Sequence, residues 1–65
     1  MNNFIELTPG KDVKCYINAK QIVCIKPYNK AGYLHKATIN FVDGSHIEVI
    51  ENYEKVKLLL SANMS

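Results

Sequence analysis

Apolar and polar residues alternate with a two-residue period along most of this chain and switch to a three- and four-residue period near its end. That change predicts several strands followed by one helix. The first run, 4–8, alternates weakly and stops at Pro9-Gly10, a dipeptide that favours a turn. Val13, Cys15 and Ile17 then alternate with Lys14, Tyr16 and Asn18, predicting a second strand over 13–17. Asn18 to Gln21 breaks the pattern before the apolar run Ile22-Val23-Cys24-Ile25, so a third strand is expected at 22–26, with Pro27 closing it or marking an edge.

The segment 37–51 carries the sharpest local prediction. A two-residue loop at Asp43-Gly44 would set Phe41 against His46 and Ile39 against Glu48, mixing apolar and polar residues on one face. A three-residue loop of Val42, Asp43 and Gly44 instead pairs Ile39 with Ile47 and Ala37 with Val49, with Gly44 in the left-handed conformation. Ala37, Ile39, Phe41, Ile47 and Val49 then share one side, as a half-buried antiparallel pair requires. Strands are therefore expected at 36–41 and 45–50.

From Asn52, a good N-cap, Tyr53, Val56, Leu59 and Leu60 recur at helical spacing, predicting a helix over 53–61 that covers one sheet face. Glu51 and Glu54 sit where the helix dipole favours negative charge. Leu58 falls outside the apolar stripe, and Ser61 to Ser65 are expected to fray. The fold class expected is α+β, mostly β: an antiparallel four- to five-stranded meander with one C-terminal helix. The predicted core is Phe4 or Ile5, Val13, Cys15, Ile17, Ile22, Cys24, Ile39, Phe41, Ile47, Val49, Val56, Leu59 and Leu60. A second apolar set, Val23, Ile25, Val42 and Ile50, is left needing a partner surface, which predicts a homodimer or another protein partner.

Composition narrows the class. Sixty-five residues make a single domain, 1–65, near the lower size for independent stability. A hydrophobic share of 48% and a charged share of 22% are ordinary for a folded domain. No apolar run is long enough to span a membrane, and the N-terminus lacks a secretory signal pattern, so a cytoplasmic protein is expected. The net charge is only +2, and all eight basic residues are Lys. Recognition of phosphates and guanine edges favours the Arg fork, which weakens a nucleic-acid reading without removing it.

Candidate chemistry is sparse. Cys15 and Cys24, on successive strands joined by a four-residue loop, would stand opposite each other; in a reducing compartment they read as small apolar core residues rather than a disulfide. Cys15, Cys24, His35 and His46 are nine, eleven and eleven positions apart, without the tight pairs of a zinc site. Pro9-Gly10-Lys11 lacks the rest of a phosphate-binding loop, and no serine has a nucleophile context. No catalytic residue, metal site or cofactor is assigned, and an enzyme is not expected. Tyr16, Tyr28 and Tyr33, with Lys14, Lys26 and Lys30 nearby, suit a protein interface or stacking on single-stranded bases. With Val23, Ile25 and Leu58 they form the candidate interaction surface.

Ile17-Asn18-Ala19, Ile22, Ile25, Ile39, Gly44, Ile47, Val49, Glu51 and Val56 together resemble the FlbD-type flagellar proteins, the SwrD swarming motility family. The resemblance covers nearly the whole chain and is carried mainly by strand-periodic aliphatics and turns. The chain departs from it in a longer interval between Gly10 and Asn18, an extended 28–35 connection, and Asn52 where Ser is usual. The same pattern is similar to that of many small bacterial and phage β-domain proteins. The resemblance implies a non-enzymatic accessory of flagellar motility; the alternative expectation is a small nucleic-acid-binding β domain or a phage-encoded regulatory protein.

Overall fold

In the computed structural model, which describes residues 3–63, five strands precede one helix: β1 Phe4–Gly10, β2 Val13–Asn18, β3 Ile22–Pro27, β4 Ala37–Phe41, β5 His46–Val49 and α1 Tyr53–Asn63. The chain is α+β and mostly β. All strand pairs are antiparallel and follow chain order, but they divide into two sheets, β1-β2 and β3-β4-β5. The division falls at Ala19–Gln21, a single 3-10 turn capped by the Asn18 side chain, which accepts from the Lys20 amide at 3.0 Å. Cys15 therefore pairs with Leu7, and Cys24 with Asn40. The expectation that the two cysteines oppose each other is overturned because β2 and β3 do not pair.

The β4–β5 hairpin takes the register its apolar pattern requires. Ala37 faces Val49 and Ile39 faces Ile47. The Phe41 amide donates to the Ser45 carbonyl at 2.9 Å, Gly44 donates back to Phe41 at 3.0 Å, and Gly44 has φ 91°. A left-handed residue after a tight turn is the usual third position of such a loop. Asp43 secures it from outside, accepting from the Ser45 amide and hydroxyl at 2.9 and 2.6 Å. Those bonds, the hydroxyl first, hold the exposed Asp43 carboxyl below its ordinary pKa.

Two bulges shift the other strands. In β3 the register passes from Ile22↔Phe41 to Cys24↔Asn40, leaving Val23 without an opposite residue. Ile22 and Ile25 then both face the core, Ile25 opposite Ile39, while Cys24 joins Asn40 on the outer face. The expected roles of Cys24 and Ile25 are thus exchanged. In β1, Thr8 and Pro9 stand against Lys14 alone, between Leu7↔Cys15 and Gly10↔Val13. The turn consequently lies at Lys11 and Asp12 rather than at Pro9-Gly10, and Asp12 adopts the left-handed conformation with φ 62°. Val13, expected in the core, lies beyond this bulge and is half exposed.

One core serves both sheets. Ile5, Leu7 and Ile17 come from the first, Ala37, Ile39 and Val49 from the second, and Val56 from the helix, all buried. Cys15, Ile22, Ile25, Phe41, Ile47, Leu59 and Leu60 pack around them. Ile5 rather than Phe4 takes the inner position, and the fully buried Leu7 shares its face two residues on. Helix α1 packs against β1 and β3. Asn52 caps it, accepting from the Lys55 amide at 2.8 Å, and the helix runs to Asn63, past the point where fraying was expected. Met64 and Ser65, at the end of that tail, lie outside the described residues.

Where β1 bulges, it meets the entry to the helix. The Ile50 amide donates to the Thr8 carbonyl at 2.8 Å, and Glu51 accepts from the Thr8 amide at 2.8 Å and its hydroxyl at 2.7 Å. The Val42 amide donates to the Gln21 carbonyl at 2.8 Å, which carries the β3–β4 ladder one pair beyond Ile22↔Phe41.

Candidate functional site

The six candidate surface residues do not converge on one place. Tyr16 projects from the outer face of the β1-β2 ribbon, 70% exposed, its ring centroid 6.1 Å from that of Phe4. Val23 is the extra residue of the β3 bulge and is 65% exposed. Leu58 lies on the outer side of α1 at 68%. Tyr28 and Tyr33 meet in the connection after β3, ring centroids 6.1 Å apart, with Tyr28 half-buried. Ile25 is partly buried, because the bulge turns it onto the core. Leu34 and Val42 are exposed as well. Leu34 was missed because it lies in an irregular connection where no period reads out its side.

The lysines expected to accompany the tyrosines are partly in place. Lys30 lies over the Tyr33 ring at 4.5 Å, and Lys57, paired with Glu54 at 3.5 Å, lies over Tyr53 at 5.2 Å. These are cation–π contacts within the chain. Each occupies one face of a ring on which a nucleobase could otherwise stack. An open groove of about 420 Å³ passes between Pro27, Asn29, Lys36, Asn52, Tyr53 and Glu54. Its polar groups are partly committed: Asn52 caps the helix, and the Lys36 ammonium reaches the Tyr33 carbonyl at 3.4 Å.

The chemistry-bearing side chains follow the register of the second sheet. Cys24, Asn40 and His46 form one cross-strand row on its outer face, with Lys26, Thr38 and Glu48 in the next. His46 Nε2 lies 3.3 Å from Glu48 Oε2, an ion pair when the imidazole is protonated. Asn40 separates Cys24 from His46 by two strand spacings, roughly 10 Å, so the imidazole is not placed to take the thiol proton directly. The Asn40 Oδ1 is enclosed without a hydrogen-bond partner. His35 Nε2 is spent structurally, 2.6 Å from the Pro9 carbonyl at the β1 bulge. Among the described residues, no three His, Cys, Asp or Glu side chains are grouped to hold a metal ion.

Glu51, which carries part of the resemblance noted above, is a joint. Burial is the largest influence on its pKa and raises it. The Thr8 hydroxyl and amide, its own amide and the Lys14 charge together outweigh burial and hold the carboxyl below the ordinary glutamate value. Among the described residues no helix is long and apolar enough to cross a membrane. No protein-family model matches the chain, and no curated protein or solved structure matches it either.

Proposed function

We propose that this chain is a non-enzymatic protein-binding or assembly module. The observation that carries the reading is the exposure of Tyr16, Val23 and Leu58, at 70, 65 and 68%, on two strands and a helix rather than on loops. Large apolar groups held by ordered backbone can dock without first losing much conformational freedom. Aromatic side chains such as Tyr16 are also the ones interfaces enrich. A cytoplasmic accessory of flagellar motility is the setting implied by the FlbD-type resemblance. The intramolecular Lys30–Tyr33 and Lys57–Tyr53 contacts favour a protein partner over a nucleic acid.

The test compares the protein with a Tyr16→Glu/Val23→Glu/Leu58→Glu variant in quantitative affinity capture, alongside titration with single-stranded nucleic acid over a range of salt. A protein partner retained by the native chain and lost by the variant supports the reading. Nucleic-acid binding that weakens steeply with salt, with no protein captured, sinks it.

A further inference from the structure

β2 and β3, each an edge strand of its own sheet, differ in how their free edges are protected. In an antiparallel ladder, hydrogen-bonded and non-bonded pairs alternate. Tyr28 donates to Lys36 across the β3–β4 ladder at 2.9 Å, so Lys26 and Cys24 also point their backbone groups at β4, while Pro27 and Ile25 point outward. Pro27 thus removes a donor from that edge, and the Val23 bulge distorts it further. Both are recognised devices against edge pairing.

The β2 edge has neither. Ala19 donates to Asn3 at 2.7 Å, so Ile17 and Cys15 bond across to Ile5 and Leu7, leaving the N–H and C=O of Lys14 and Tyr16 pointing away from β1. Outside the β1–β2 ladder, no hydrogen bond among the described residues involves the backbone of either residue. The bulge of that ribbon is in β1, and β2 itself runs without interruption.

We propose that this edge is a self-association site, where β2 of a second copy of this chain adds antiparallel about a two-fold axis at Cys15. The inference deepens the protein-binding reading and rests on it. With the axis at Cys15, Lys14 of each copy faces Tyr16 of the other. Both residues belong to the outward-pointing set, so each pair exchanges its main-chain hydrogen bonds. On the outer face each Lys14 ammonium meets the exposed Tyr16 ring of its partner, a favourable cation–π contact. Sliding the register by two residues one way sets Lys14 against Lys14, a like-charge pair. Sliding it the other way sets Tyr16 against Tyr16 and Lys14 against Asn18, the last residue of β2, whose side chain is committed to capping the 3-10 segment. The contact is isologous and closes on itself.

Amide hydrogen exchange on the full chain at low micromolar and at millimolar concentration, with sedimentation on the same samples, tests this. Cys15 and Ile17 amides should be protected at both concentrations. The Lys14 and Tyr16 amides should slow by about tenfold or more as dimer forms. Tyr16→Lys, a change at an exposed position, should give a folded monomer, and Lys14→Glu/Tyr16→Lys should dimerise again through opposite charges. A chain monomeric at millimolar concentration overturns the proposal. So does a dimer in which Lys14 and Tyr16 still exchange freely. If that monomer captures a different protein through Tyr16, the protein-binding reading stands and only the second copy is removed as its occupant.

Discussion

Thr8 and Glu51 tie the first strand to the helix entry through two hydrogen bonds onto one carboxylate. Charged acceptors make such bonds stronger than neutral ones. Thr8→Val, which keeps shape and removes the hydroxyl, should cost about 1–2 kcal/mol in urea unfolding at neutral pH. The pH dependence has a definite sign. The folded pKa of Glu51 is depressed, so its contribution is fully present above the unfolded value of about 4.3 and is lost as pH falls through the folded value. Acid titration of stability should show this loss in the native chain and not in Glu51→Gln. Asp43, also held low, contributes to the same acid limb in both proteins, so the difference between them isolates Glu51.

The β3 bulge gives an element-level prediction. Ile25 packs on the core and Cys24 lies on the outer face, so Ile25→Ala should cost about 2 kcal/mol, toward the low end for a partly buried Ile. Cys24→Ala should cost less than about 1 kcal/mol. Equal costs, or the reverse order, in thermal or urea unfolding would contradict the register. The sequence pattern alone leads to the opposite order, because Ile22-Val23-Cys24-Ile25 is apolar throughout and no alternation marks which residue is extra. The hairpin was legible because Thr38, Asn40 and Glu48 break its apolar run at every second position and Gly44 fixes the loop. The helix was legible for a like reason, with Asn52 as cap and Val56 on the inner stripe. The split between sheets was not, since nothing in Asn18 to Gln21 distinguishes a 3-10 turn from a hairpin loop. Of the candidate surface, Tyr16, Val23, Tyr33 and Leu58 lie exposed, and the same unmarked bulge turns Ile25 toward the core.

Across the whole molecule, two sheets share one small core and are laced at the β1 bulge, by Ile50 and Glu51 on Thr8 and by His35 on the Pro9 carbonyl. Among the described residues the buried side chains form one cluster shared by both sheets, so the chain should unfold as one cooperative unit. Leu7→Ala, at a fully buried site in the two-stranded sheet, should cost about 3 kcal/mol, a large part of the stability of a domain this size. Far-ultraviolet dichroism and tyrosine fluorescence should shift together. Separate transitions would mean that the sheets hold independently. The unopposed position of Val23 also bears on how such a chain can change over evolutionary time. A descendant that deleted this one codon would keep Ile22, Cys24 and Ile25 on their present partners in β4, so length can drift there while the packed interior is inherited intact.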